Sequence, residues 1–187
     1  AMLYTSGTTG KPKGALISHK NLIANAQALT SAWDWSQDDV LLHALPVFHV
    51  HGLFVGLNLP LMNGSSIIYL DKFSPKEVVK ILPKSTVFMG VPTYYVRMLA
   101  ESGLTKDSCR EIRVFISGSA PLLEQTSLDF KKKTGHEIVE RYGMTETGMN
   151  TSNPLQGLRK PGSVGLPIEG VQIRARNESG CISEEGE

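Results

Sequence analysis

Short runs of β-branched and aromatic residues alternate along the chain with longer stretches in which apolar residues recur every three or four positions. The runs predict strands and the stretches predict amphipathic helices. AMLYT (1–5) and GALIS (14–18) read as two strands on either side of a glycine-rich loop. Ser18 is positioned to cap a helix through HKNLIANAQALTSAW, on which Leu22, Ile23, Ala26 and Leu29 share a face. VLLHAL then predicts a strand, HGLFVGLNLPLM a buried helix, and SSIIYL a strand after the Asn63–Gly64 turn. Ser74–Pro75 opens the next helix, with serine as cap and proline in the first turn. Strand TVFMG, helix PTYYVRMLAES, strand RVFISG, a helix from about Leu122 to Lys133 and strand EIVERYG follow. From about Thr151 the chain is richer in Gly, Pro and Asn, and it closes on a predicted strand, VQIRAR.

Strand–helix alternation with short turns predicts an α/β fold, a largely parallel sheet covered by helices. Residues 1–150 form the expected core, and 151–187 the start of a β-rich portion. Ligands of such folds gather at the carboxyl ends of strands. Three unusual loops stand there: the glycine loop after AMLYT, SGSAP after VFI, and YGMTE after EIVER.

The first loop, TSGTTGKPKG, packs glycines, hydroxyls and two lysines together. Glycine lets consecutive backbone N–H groups face one concavity, which suits an anion. The spacing is not that of a Walker A loop: Gly7 and Gly10 are two residues apart, and Pro12 follows Lys11. A plain Gly/Thr hairpin with solvated lysines is the bland alternative.

Bulk properties remove other partners. A net charge of +1 offers no basis for nucleic acid. No apolar run approaches the roughly 18 residues of a membrane span. The two cysteines, Cys109 and Cys181, lack metal-like partners and point to a reducing compartment, taken as cytoplasmic.

YTSGTTGKPKG, ISGSAPL and ERYGMTETG, in that order, resemble the adenylate-forming superfamily of acyl-CoA ligases, luciferases and adenylation domains. FHVHGLFV and MGVPTYYVRML narrow the resemblance to its malonyl-CoA synthetase branch. The resemblance implies the central part of the large N-terminal domain. It also implies a two-step reaction. A carboxylate attacks the α-phosphorus of ATP, and the coenzyme A thiol then displaces AMP.

On this resemblance Thr5, Ser6, Gly7, Thr8, Thr9, Gly10 and Lys11 hold the phosphates. Gly118, Ser119, Ala120, Glu140, Arg141, Tyr142, Gly143 and Met144 surround the adenine and AMP. Thr145 reaches the α-phosphate, and Glu146, with Thr9, holds Mg²⁺. His49, Gly90, Val91, Arg97, Arg141 and Met144 surround the acyl group, with His49 also near the thiol path. His51 reads as a satisfied, partly buried histidine. An arginine suits a second carboxylate because its planar fork binds both oxygens. The alternatives are a solvent-facing Arg97 and an Arg141 paired with Glu140.

The resemblance also implies elements after Glu187: a ribose-binding aspartate, a hinge, and a C-terminal domain of the same chain that carries the adenylation lysine. Two other classes stay open. A kinase-like NTPase would release ADP. A nucleotide-binding module would show no turnover. Within the ligases, a short monocarboxylic acid is the competing substrate.

Overall fold

The computed structural model describes residues 1–5, 10–174 and 176. The phosphate-loop residues Ser6, Gly7, Thr8 and Thr9 lie outside the described residues, as does Cys181. The chain begins with a hairpin, β1 (Met2–Thr5) antiparallel to β2 (Lys13–Leu16), which forms its own two-stranded sheet. The glycine loop therefore joins two hairpin strands and does not extend from the main sheet. Helix α1 (His19–Ala32) starts at once, capped by Ser18, whose hydroxyl accepts the Asn21 N–H at 3.1 Å.

The main sheet has seven strands: β3 (Val40–His43), β4 (Ser66–Tyr69), β5 (Val87–Gly90), β6 (Val114–Ser117), β7 (Ile138–Met144), β8 (Gly148–Ser152) and β9 (Leu166–Pro167). Their spatial order is β4-β3-β5-β6-β7-β8-β9. The first five run parallel, whereas β8 and β9 are antiparallel additions. Helices α2 (Gly56–Asn63), α3 (Pro75–Ile81), α4 (Pro92–Leu99) and α5 (Glu124–Thr134) supply the remaining cover.

Side-chain alternation sorts the core into two layers. Leu41, Val87, Met89, Val114, Ile116 and Val139 face α1 and α2, where Leu29, Trp33 and Leu59 meet them. Leu42, Phe88, Phe115 and Ile138 face the other side, with Val78, Tyr95, Met98 and Phe130 from α3 to α5. The central strands β5 and β6 are buried on both faces, so they read as continuous apolar runs.

Three expectations need correction. Ile23 is exposed, because the buried face of α1 runs through Ala26, Ala28 and Leu29. The expected buried helix is a π-helical turn, His51–Val55, followed by α2 with Pro60 inside it, and Leu61 and Met62 face solvent. VQIRAR forms no strand over 171–174; β9 is two residues long, and Val171 N–H turns back to the Ile168 carbonyl. A strand needs a neighbour for its backbone groups, and none pairs with residues 171–174 among the described residues.

At the opposite end of the sheet from the loops, Asp39 receives Arg113 through both carboxylate oxygens, at 2.7 and 2.6 Å. Thr86 donates to Asp39 at 2.7 Å, and Arg113 also reaches the Trp33 carbonyl at 2.8 Å. Burial works against the Asp39 carboxylate, but the hydrogen bonds from Arg113, Ser36 N–H and Thr86 outweigh it and hold its pKa below the ordinary value. This clamp leaves the carboxyl ends of the strands clear.

Candidate active site

The carboxyl ends of β5 and β6, the turn after β3 and the outer end of β7 enclose a cavity of about 430 Å³. His49, Val91, Arg141, Met144 and Thr145 line it, together with His51 and Ser119. A second cavity of about 340 Å³ lies beyond it, between the segment from Ser117 to Leu122 and the strip Glu140–Gly143. Ser119, Arg141 and Gly143 border both. The two cavities therefore meet at Arg141.

Arg141 is the most unusual group in the fold. It is 3% exposed, and neither its Nε nor its Nη2 has a hydrogen-bond partner. It makes no ion pair among the described residues, and pairing with Glu140 is excluded because neighbours on a strand point to opposite faces. Burial lowers its pKa to about 10, with the Tyr95 phenol acting in the other direction. That phenol is itself neutral: burial raises its pKa, and its hydroxyl donates to the Ile116 carbonyl at 2.6 Å. Gly118 makes room for the guanidinium, since a Cβ there would lie 2.5 Å from Arg141 Nε and 2.7 Å from Nη1. A buried guanidinium with two unmatched donors is an anion site in waiting.

Around it stands a neutral histidine pair. His43 Nδ1 accepts the Leu45 N–H, so its Nε2 carries the proton and donates to the Gly52 carbonyl at 2.9 Å. His51 Nδ1 lies 3.2 Å from the Ser119 hydroxyl, while its Nε2 has no partner. His51 is thus fully buried and half satisfied, a correction to its expected state. Burial lowers both pKa values, and Arg141 and His43 lower that of His51 further. Ser119 holds a left-handed backbone, φ +70°, at the rim of both cavities.

The structure brings His49, Val91, Ser119, Arg141, Gly143, Met144 and Thr145 to the first cavity. It brings Ala120, Glu140 and Tyr142 to the second. Gly118 backs Arg141, and Gly90 accepts the Gly118 N–H at 3.3 Å. Glu140 is buried with one carboxylate oxygen on the Gly162 N–H at 2.8 Å, and its pKa is raised by burial against that bond. Glu146 is exposed on the turn between β7 and β8 and borders a third cavity of about 300 Å³ beside α1. Arg97 is not brought to the first cavity. It is exposed on α4, with its guanidinium carbon 5.0 Å from the Phe73 ring centre, and Phe73 stacks on Tyr94 at 3.6 Å. Thr5, Gly10 and Lys11 sit at the hairpin end, Gly10 with φ +83°.

The donor sets fit an anionic nucleotide. The orphaned guanidinium and the Gly118 approach suit a phosphate or carboxylate. No group of three or more metal-binding side chains occurs among the described residues, so a divalent ion fits only if most ligands come from the nucleotide and water, with Glu146 as a hard donor. Sequence reasoning named His51 only as a satisfied histidine, whereas it lines the first cavity, and it did not single out Ser117, which lines the second.

A model of the AMP-binding enzyme family matches residues 1–187. The chain is 44% identical to the mitochondrial malonate–CoA ligase ACSF3 of Mus musculus, covering 95% of this chain and 33% of that one. ATP-bound MatB from Rhodopseudomonas palustris superimposes with a TM-score of 0.95 at 50% identity, over 100% of this chain and 37% of that one. A malonyl-CoA ligase in a ternary complex with methylmalonyl-CoA and AMP gives 0.86 at 42%, over 90% and 38%. The chain spans about a third of the length of the curated relatives it matches.

Proposed function

The chain belongs to the AMP-binding enzyme family, and on that premise we propose that it is the nucleotide- and acyl-binding part of an ATP-dependent acid–CoA ligase acting on malonate or a close dicarboxylate. Arg141 carries the reading. A counterion-free guanidinium at the meeting point of two cavities suits a reaction in which a carboxylate and an α-phosphate are joined. A carboxylate oxygen attacks the α-phosphorus, and pyrophosphate leaves with its electron pair. The CoA thiol then displaces AMP from the acyl carbon.

The chain's own groups would act by position and charge. The second cavity would take adenine, with Tyr142 stacked on it and Gly118, Ser119, Ala120 and Glu140 along its edge. Thr145 would donate to the α-phosphate, and the hairpin loop from Thr5 to Lys11 would hold the departing phosphates. Magnesium, when bound, supplies charge neutralisation on the phosphoryl oxygens; Glu146 and Thr9 would hold it. The first cavity would take the acyl group between His49, Val91 and Met144. Arg97, steadied by Phe73, would receive the distal carboxylate.

The relatives named as malonate ligases support the diacid. Arg97's place outside the cavity wall favours, as a second reading, a short monocarboxylic acid. The C-terminal domain with the adenylation lysine would complete the site. Cys109, buried with its thiol pushed up to about 11, takes no part and suits a reducing compartment, for which we propose the cytoplasm. No helix among the described residues is long and apolar enough to cross a membrane.

The test is exchange of labelled pyrophosphate into ATP by the full-length protein carrying this chain, with malonate, methylmalonate, acetate and octanoate. Exchange with the diacids, lost in Arg97→Met, supports the proposal. Exchange with acetate or octanoate alone keeps the ligase and removes the diacid. ADP as product would point to an NTPase.

A further inference from the structure

The two protein parts proposed to meet MgATP come from opposite ends of the chain. The hairpin loop lies within residues 5–13, while Thr145 and Glu146 sit on the turn between β7 and β8. One side chain ties the second of them to α1, the helix that follows the hairpin. Asn25, two turns into α1, donates from Nδ2 to the Met149 carbonyl at 2.9 Å and accepts the Met149 N–H on Oδ1 at 3.1 Å. It thereby satisfies both backbone groups of Met149, as a neighbouring strand would. The contact spans 124 residues of sequence.

Two further observations single out this contact. Gly148, at φ +72°, packs directly on the amide: a Cβ there would lie 2.7 Å from Asn25 Oδ1 and 2.9 Å from Cγ. Asn25 and Glu146 also border the same cavity of about 300 Å³. The turn between is short and internally bonded, with Thr147 N–H on the Met144 carbonyl and Asn150 Nδ2 on the Thr147 hydroxyl. Holding Met149 therefore holds the backbone of the turn that carries Glu146. At its other end α1 grows straight out of β2, with Ile17 N–H on the Ala1 carbonyl of the paired strand.

We propose that Asn25 is a positioning residue that holds the turn between β7 and β8 on α1 and thereby sets where the Glu146 carboxylate stands. This rests on the reading that Glu146 holds the nucleotide's magnesium. Groups that orient a metal ligand typically change metal affinity 10- to 100-fold when removed.

The experiment is calorimetric titration of ATP into the full-length protein, with and without Mg²⁺, for wild type, Asn25→Ala, Gly148→Ala and the double variant. Thermal unfolding is followed alongside. Asn25→Ala should weaken MgATP binding by roughly tenfold or more and change Mg²⁺-free ATP binding by less than about twofold. Gly148→Ala, which forces the amide aside, should give the same signature on wild type and a smaller loss on the Asn25→Ala background.

Equal loss with and without Mg²⁺, or no loss beyond a fall in melting temperature, would overturn the proposal and leave Asn25 a packing residue. A wild type that binds ATP with no preference for Mg²⁺ would overturn it too. The ligase reading fails separately, if wild type shows the Mg²⁺ contrast yet exchanges pyrophosphate with no acid.

Discussion

Arg141→Met removes a charge that has no counterion among the described residues. Burial lowers its pKa to about 10, so the fold works against the charged form. Methionine fills much of the same volume without needing partners for Nε and Nη2. Replacing buried charge by well-packed apolar groups is often neutral or stabilising by about 1–4 kcal/mol. The expected gain here is about 1–3 kcal/mol, because the thioether leaves part of the Gly118 recess unfilled. Function should move the other way. A hydrogen bond to a charged group contributes about 1.5–3 kcal/mol, so kcat/KM for the acid should fall at least about tenfold. Thermal unfolding and pyrophosphate exchange on the full-length protein measure the two effects together. A variant that melts lower than wild type and keeps its kcat/KM would refute the reasoning, since the guanidinium would then be a structural link.

Gly118→Ala drives a methyl group against the same guanidinium and should lower stability by about 1–3 kcal/mol, with activity falling too; adding Arg141→Met should recover the stability. Asp39→Ala strands Arg113, and a loss of about 3 kcal/mol is expected in urea unfolding at pH 7, at the low end for a buried pair because the Arg113 side chain is 32% exposed. The Asp39 pKa is depressed on folding, so its contribution is present above the unfolded value near 3.9 and disappears as pH falls through the folded one. Wild type and Asp39→Asn should accordingly converge in stability at low pH. His43 and His51 are held neutral, so below about pH 6.5 the unfolded chain takes up protons that the folded chain refuses. Stability should decline below that point by up to about 1.4 kcal/mol per pH unit for each histidine, and a flat profile between pH 6.5 and 5 would count against their neutral state.

Local order was legible where local chemistry decides it. Ser18 and Ser74 cap helices because their hydroxyls accept N–H groups three residues on, an interaction written within four positions. VFMG and VFIS are central strands because both of their faces must be apolar, and that shows as an unbroken run. From such runs and their alternation with helices, the α/β class and the position of the site at strand ends follow.

The tertiary structure decided what depends on distance along the chain. Ile23 has the right spacing for the buried face but lies outside it, because packing against the sheet chose Ala26, Ala28 and Leu29. VQIRAR has strand composition, yet residues 171–174 pair with no neighbour among the described residues. Asp39 meets Arg113 across 74 residues, and Asn25 meets Met149 across 124. Arg141 looks in sequence like any arginine beside a glutamate. Its isolation comes from strand alternation, which turns Glu140 away, and from Gly118, just past the end of the next strand, which lets the guanidinium in. Whether a polar group has a partner is a property of the space around it, and that space is made only when distant segments meet.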